Sequence, residues 1–284
     1  MNLGTLFAKY AEHAKPTMRG ILTRLQGEPI AKHSATALRA MDIIAHCRLR
    51  RKSCEPSTVL QDIIAIRGVL SYAKPGWDMR DVSDEPLREA LPILKKERLI
   101  SSARRRTQEP STEQRKAVVG YFTERARRYD APMADIAEFQ YYSTRRISET
   151  CRVLWTDLDE NTKTILVRDM KHPRHKIGNH RRVALPDEAF AIIMRQPRRT
   201  NRPDERIFPY RATTIKAAFA AAFRALGFDD LHTHDYRRGG ITRLLAEGRS
   251  VQEVMLVTGQ ETPGMVLTTY NALKAEDFHT RRTA

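Results

Sequence analysis

Two basic side chains lie three positions apart near the C-terminal end of the chain, at His234 and Arg237. On a helix this spacing puts both side chains on one face, so an imidazole and a guanidinium can reach the same anion. A further arginine, Arg146, stands at the start of a predicted helix, where unpaired backbone N–H groups suit a phosphate. Each motif is common by itself, and a tyrosine such as Tyr270 is most often a packing residue. Together, the basic side chains of Arg146, His234 and Arg237 could bind one phosphate group.

Three segments of the chain resemble the tyrosine recombinase, or phage integrase, family. Residues 144–159 (TRRISETCRVLWTDLD) are similar to its first arginine box, in which arginine is followed by Ile-x-Glu and then a Trp-x-Asp turn. Residues 232–270 are similar to its second box, and residues 56–77 to its helical core-binding domain. The resemblance implies a mainly helical α+β protein with an N-terminal helical core-binding (SAM-like) domain. A C-terminal mixed α/β tyrosine recombinase catalytic domain would follow it.

The resemblance implies six catalytic residues, which are Arg146, Lys171, His234, Arg237, Gln260 and the nucleophile Tyr270. Lys171 best matches the family's hairpin lysine, which protonates the 5′-hydroxyl leaving group, and Lys176 is the alternative. Gln260 departs from the family, which usually has His or Trp at this position. An amide can donate a hydrogen bond to a phosphate oxygen, but it cannot share a proton at neutral pH. Reduced or altered activity is one expected consequence.

These residues indicate chemistry that needs no cofactor and no metal. Tyrosine has a free pKa of about 10, and it becomes a nucleophile when its proton is drawn off and its oxygen is held in line with phosphorus. Three histidines crowd the tip of a predicted hairpin and resemble a metal site, namely His172, His175 and His180. Metal ligation needs a fourth ligand in a fixed geometry. We therefore interpret this tip as solvated or facing DNA.

The chain of 284 residues carries 50 Lys and Arg against 34 Asp and Glu, a formal net charge of +16. Such a surplus on a folded chain indicates nucleic acid as the first partner and an anionic membrane surface as the second. The apolar runs are far shorter than the roughly 20 residues of a membrane-spanning helix, and no secretory signal opens the chain. We expect a cytoplasmic or nucleoid-associated protein of prokaryotic, phage or mobile-element origin, which binds double-stranded DNA at a specific core site and no membrane. Sequence-independent phosphate contacts are expected from basic runs that include Arg50, Arg51, Lys52, Arg104, Arg105 and Arg106.

The elements that must position these residues fall into two predicted domains, residues 1–100 and 112–284, joined by a polar linker at 101–111. Only helices are predicted in the first domain, over 36–50, 56–73 and 85–95. The helix over 36–50 is predicted from the helical spacing of Leu38, Met41 or Asp42, Ala45 and Leu49. In the next helix, Thr58 and Gln61 fit a capping box. The segment Lys74-Pro75-Gly76 is expected to end this helix.

In the second domain, helices are predicted over 112–128, 132–142, 145–154, 187–195, 213–226, 236–246, 250–257 and from 262 onward. The start of the first of these is predicted by a capping box of Ser111 and Gln114, and the start of the helix at 250 by Ser250 and Glu253. Residues 164–167 and 182–185 are β-branched or alternating, so they predict a β-hairpin with a long polar tip.

We hypothesise a site-specific DNA recombinase that cuts and rejoins strands through a 3′-phosphotyrosyl intermediate, for integration, excision or inversion. The resemblance implies a homotetramer on two DNA sites that resolves a Holliday junction, and a dimer or monomer without DNA. The alternative is a catalytically impaired DNA-binding regulator on the same scaffold, motivated by Gln260 alone. A nicking and relaxing enzyme similar to type IB topoisomerases shares the chemistry, but the predicted core-binding domain argues against it.

Overall fold

The computed structural model describes residues 1–103, 106–171, 177–200 and 202–270. The chain divides into two compact units, Met1–Arg105 and Arg106–Ala284. The architecture is mainly helical with one small antiparallel sheet, which confirms the predicted α+β class. No helix within these described ranges is both long enough and apolar enough to cross a bilayer.

The first unit is built from helices. These are α1 (Leu3–Ala11), α2 (Pro16–Gln26), α3 (Ala40–Arg51), α4 (Pro56–Trp77) and α5 (Glu85–Lys96), with a short 3-10 turn at Pro29–Lys32. All five α-helices contribute apolar side chains to one buried core. On α5 the buried residues Leu87, Ala90 and Leu94 are three and four positions apart, so they line one face. This period is what orients α5 toward the core.

The core-facing side of α3 is not the side that carries Met41 and Leu49. Met41 is 73% exposed and Leu49 is 42% exposed, whereas Ile43 is fully buried. Both sides of the helix carry apolar residues at helical spacing. The buried side also carries His46, whose Nε2 lies 3.6 Å from the buried carboxylate of Asp62 on α4. Helical spacing therefore predicted the helix but did not tell which side is buried, since the buried side carries the apolar residues Ile43, Ile44 and Cys47.

Helix α4 continues past its predicted stop at Lys74-Pro75-Gly76 and ends after Trp77. Pro75 has no N–H to donate and its ring crowds the preceding turn, so the helix continues for only two more residues after it. The ring of Trp77 packs edge-on against Tyr72, with 5.2 Å between centroids. Asp78 then adopts φ +51°, and its N–H donates to the Ala73 carbonyl oxygen. Aromatic packing thus extends the helix by one turn.

The second unit contains the remaining helices and the sheet. Its helices are α6 (Thr112–Glu124), α7 (Met133–Tyr142), α8 (Ile147–Thr150), α9 (Asp187–Met194), α10 (Ala212–Ala225), α11 (Thr233–Ala246), α12 (Val251–Thr258) and α13 (Pro263–Tyr270). The sheet has the order β1 (Leu158–Asp159), β2 (Thr164–Val167) and β3 (Arg181–Ala184). Strands β2 and β3 form the predicted hairpin, with buried Ile165 opposite buried Val183. Strand β1 was not predicted, because two residues are too few for a periodic signal.

The two capping boxes predicted in the second unit are present, whereas the one predicted at Thr58 and Gln61 was wrong, because α4 already begins at Pro56 and its N-cap Glu55 makes no side-chain cap. Ser111 Oγ accepts from the Gln114 N–H at 3.2 Å, and the Gln114 side chain accepts from the Ser111 N–H at 2.9 Å. At the start of α12, Ser250 Oγ accepts from the Glu253 N–H at 3.2 Å, and the Glu253 carboxylate accepts from the Ser250 N–H at 2.8 Å. Each box satisfies two backbone donors that the helix start leaves unpaired.

The helix predicted over 145–154 is only one turn long. After α8 the chain pairs with a distant segment, where the Trp155 N–H donates to Glu205 O at 3.0 Å and the Ile207 N–H donates to Val153 O at 3.0 Å. These bonds replace helical ones, and local periodicity cannot anticipate them. The predicted length was therefore wrong, while the predicted start, beside Arg146, is observed.

Candidate active site

Helices α7 and α11 cross with their backbones in direct contact. A Cβ atom at Gly240 would lie 1.9 Å from the carbonyl oxygen of Tyr141 and 3.2 Å from Thr144 Cγ2. Only glycine fits where a neighbouring backbone approaches so closely. The crossing places the N-terminal half of α11, which carries His234 and Arg237, beside the turn that follows α7.

That turn brings the two predicted arginines together. Thr144 adopts φ +57°, a left-handed conformation that is uncommon for a β-branched residue. Arg237 is fully buried, and its Nη1 donates to the Thr144 carbonyl oxygen. Since Arg146 follows two residues later, the arginines of the two sequence boxes belong to one site.

Arg146 precedes α8 and is held by Glu149. Its backbone N–H donates to Glu149 Oε2 at 3.1 Å, and its Nη1 donates to Oε1 at 2.6 Å. Burial by itself would raise the pKa of this carboxyl group, but the charges of Arg145, Arg237 and Arg146 outweigh burial and lower that pKa below its ordinary value. Glu149 is therefore an anion. The Arg146 side chain that it binds remains 24% exposed.

His234 lies in the first turn of α11, within electrostatic reach of both arginines. Desolvation by the surrounding protein lowers the pKa of His234 below its ordinary value of 6.5, and repulsion from Arg237 and Arg146 lowers it further. The imidazole is consequently neutral at neutral pH and can accept a proton. His234, Arg146 and Arg237 thus form one cluster.

The segment that follows α12 joins Gln260 to the base of the β-hairpin. Gly259 ends α12 at φ +68°, and a Cβ at this position would lie 2.9 Å from Met170 Cε. Met170 is buried and directly precedes Lys171, which is exposed. The first predicted hairpin lysine therefore emerges beside the segment that carries Gln260.

The tip of the hairpin, with Lys176, His172 and His175, lies outside the described residues. His180 is at its edge, where Nδ1 accepts a hydrogen bond from the Asp169 N–H at 3.1 Å. Within the part of the chain that the structure describes, no group of three His, Cys, Asp or Glu residues is placed to hold a metal ion.

Tyr270 is the last residue of α13. Val266 on this helix is fully buried in a small apolar cluster with Ile241 and Leu244 of α11 and Val254 of α12. The helix that ends at Tyr270 is therefore anchored to the helices that carry His234 and precede Gln260. The side chain of Tyr270 itself lies outside what the structure describes.

Two arginines predicted to contact DNA have acidic partners inside the protein. Arg50 donates from Nε to the buried Asp62 at 2.9 Å, and its side chain is only 12% exposed. Arg106 donates from Nη2 to Asp235 at 3.0 Å, next to the start of α11. Both arginines therefore stabilise helix packing or a helix start.

The other residues of the predicted DNA-binding set differ in their surroundings. Arg51 donates to the Cys54 carbonyl oxygen, and Lys52 is exposed. Arg104 and Arg105 lie outside the described residues. Of this set, Lys52 is the residue whose exposure best suits a phosphate contact.

Sequence reasoning missed the role of Arg145. Its side chain is fully buried, with Nε donating to Ser143 O at 3.1 Å and Nη2 donating to Val257 O. Two consecutive arginines give no periodic signal that tells which of them is buried. Glu149 was also missed as a partner of Arg146, although the Ile-x-Glu pattern of the first box contains it.

Comparison with known proteins gives the following matches. The model of the phage integrase family matches residues 116–277. A Tn1549 transposon integrase in complex with circular intermediate DNA aligns over 100% of both chains, with a TM-score of 0.73 at 14% identity. Another complex of this integrase, with transposon right end DNA, covers 99% of this chain and 98% of its own, with a TM-score of 0.71 at 15% identity. A lambda integrase tetramer bound to a Holliday junction gives 0.66 at 13% identity over 96% of this chain and 79% of its own. Sequence identities this low indicate a shared fold. The search of curated proteins found no match to the chain.

Proposed function

This chain belongs to the phage integrase family, and from that membership we propose that it is a site-specific recombinase that cuts and rejoins DNA strands through its own tyrosine. The family predicted from the sequence is thereby confirmed. The observation that carries the proposal is the cluster of Arg146, His234 and Arg237 around the Thr144 turn. The catalytically impaired regulator is not favoured, because the two arginines and the histidine are assembled in one place.

In the proposed reaction the scissile phosphate lies between Arg146 and Arg237. Their charges offset the negative charge that develops on the non-bridging oxygens. Arg237 is buried and held by the Thr144 carbonyl oxygen, so it needs little reorganisation as the charge develops. Gln260 donates an amide N–H to one of the same oxygens.

Tyr270 is the proposed nucleophile. Its proton passes to the neutral His234 as the bond from the tyrosine oxygen to phosphorus forms and the bond from phosphorus to the 5′ oxygen breaks. Lys171 gives a proton to the departing 5′ oxygen. The 3′-phosphotyrosyl link conserves the bond energy, so the 5′-hydroxyl of another strand can rejoin the DNA by the reverse steps. No step requires a metal or a cofactor.

The partner is double-stranded DNA, in keeping with the net charge of +16. In this proposal the protein recognises a specific core site and forms a homotetramer on two such sites. Without DNA it is a dimer or a monomer. The fold shared with the lambda integrase tetramer on a Holliday junction supports this assembly. Residues 1–100 would be the core-binding domain, 101–111 the linker and 112–284 the catalytic domain, in a cytoplasmic or nucleoid-associated protein.

A covalent trapping experiment tests the proposal. The protein first selects a core site from a random-sequence DNA library. A nick in a duplex that contains this site then lets the fragment released by cleavage diffuse away. We expect a denaturant-stable protein–DNA adduct that forms equally well with EDTA and disappears in Tyr270→Phe. A wild-type protein that binds the selected site but forms no adduct would refute the recombinase function.

A further inference from the structure

The consecutive residues Arg145 and Arg146 have opposite surroundings. The Arg146 side chain is partly exposed at the site, whereas Arg145 is fully buried. Arg145 donates from Nε to Ser143 O at 3.1 Å and from Nη2 to the carbonyl oxygen of Val257. Its Nη1 lies 4.0 Å from Glu149 Oε2. Arg145 therefore joins the turn that carries Arg146 to helix α12.

The contact with Val257 falls in the last turn of α12, which ends at Thr258. The last four carbonyl groups of a helix lack partners within the helix, and a cation beside them interacts favourably with the helix dipole. Gln260 follows Val257 by three residues. A guanidinium bound to this carbonyl group therefore influences the direction in which the chain leaves α12 and carries Gln260.

Packing alone does not account for an arginine at position 145. A buried charge is unfavourable unless other groups compensate it, and an apolar side chain would fill the same space without that penalty. Burial lowers the pKa of Arg145 to about 9, which is still above neutral pH, so the side chain remains a cation. An apolar residue at position 145 would lose the hydrogen bonds that Arg145 makes to the turn and to α12.

We propose that Arg145 is a positioning residue for strand cleavage. By binding the Val257 carbonyl, it holds Gln260 at the distance from Arg146 at which both side chains can contact one phosphate. This inference rests on the proposed function. The donors of Arg145 bind the carbonyl oxygens of Ser143 and Val257, so in this proposal it acts through its neighbours and does not contact DNA.

Hydrogen–deuterium exchange on the DNA-free full-length protein tests the structural half of the proposal. In Arg145→Met we expect exchange across residues 257–262 to rise at least tenfold, with little change in α6. The matched control is Phe219→Leu, since Phe219 is fully buried in the main core of the same unit. It should lower stability without a selective effect at 257–262. Unchanged protection there in Arg145→Met, or the same pattern in the control, would overturn the proposal.

A double-mutant cycle tests the functional half, with single-turnover adduct formation on the nicked duplex as the readout. We expect Arg145→Met to slow cleavage tenfold or more in the wild-type background and less than twofold in Gln260→Ala, because the residue that it positions is then gone. Arg145→Lys, which keeps a cation and a donor, should recover part of the rate. If Arg145→Met fails to fold, Arg145→Lys replaces it in the double-mutant cycle.

An equal loss of rate in both backgrounds would show a general structural effect and overturn the positioning role. If the wild type forms no adduct on its selected site, the proposed recombinase function fails. The exchange experiment would still decide whether Arg145 holds the Gln260 segment, because that experiment uses no DNA.

Discussion

Replacing Gly240 by alanine places a methyl group where the backbone of α7 already lies. The new Cβ would be 1.9 Å from the Tyr141 carbonyl oxygen, while carbon and oxygen normally stay about 3.3 Å or more apart. Helices α7 and α11 must therefore move apart by roughly 1.4 Å at this contact. Overpacking of this kind costs about 1–3 kcal/mol, and a backbone neighbour puts Gly240→Ala near the upper value. For a unit of this size we expect a fall of about 6–12 °C in the unfolding midpoint.

The matched control is Gly120→Ala in α6, where no described neighbour lies within 4 Å of the new Cβ. There alanine should stabilise the helix by about 0.5–1 kcal/mol. Thermal unfolding followed by circular dichroism compares the two variants. The crossing also sets Arg237 against Thr144, so Gly240→Ala should slow adduct formation more than tenfold even at a temperature where it is folded. A Gly240→Ala protein as stable and as active as Gly120→Ala would refute this reasoning.

Three further outcomes are expected. In the first unit, burial would raise the pKa of Asp62, but the nearby His46 and hydrogen bonds from Arg24 and Arg50 outweigh burial and lower that pKa to about 2. This carboxylate therefore contributes about 2 kcal/mol of stability above roughly pH 4, which is lost as the pH falls toward 2. Urea unfolding across this range should show the loss in the wild type and not in Asp62→Asn. The lowered pKa of His234 predicts a cleavage rate that is constant from pH 7 to 8 and falls below about pH 6.5 as the imidazole is protonated. A rate that rises on acidification contradicts this role, and stopped reactions across that range measure it. Gln260→His should leave the rate of adduct formation equal or higher, and a loss of more than about tenfold, or 1.4 kcal/mol, would show that glutamine is required.

Local interactions set the parts of the structure that the sequence could predict. The capping boxes at Ser111 and Ser250 involve residues three positions apart, and the β2–β3 hairpin has a clear two-residue period. The shared helix face of His234 and Arg237 follows from their spacing in the same way. The order of the boxes along the chain was enough to identify the family and its α+β fold.

Contacts between distant segments set what the sequence could not predict. Helix α8 stops after one turn because residues 153–155 pair with residues 205–207. The buried side of α3 depends on its packing against α4 and α5, because both of its sides carry apolar residues at helical spacing. The inward direction of Arg145 depends on the Val257 carbonyl oxygen, far along the chain. None of these partners has a local pattern that would identify it in advance.

The proposed reaction requires that one tyrosine of this chain become linked to the 3′ end of a cleaved DNA strand. Mass spectrometry of the trapped adduct after digestion with trypsin and nuclease tests it most directly. Trypsin should release residues 250–274, which contain Tyr270. We predict that this peptide carries a nucleotide joined through a 3′-phosphate to Tyr270. A nucleotide on any other residue, or one joined through its 5′-phosphate, would contradict the account.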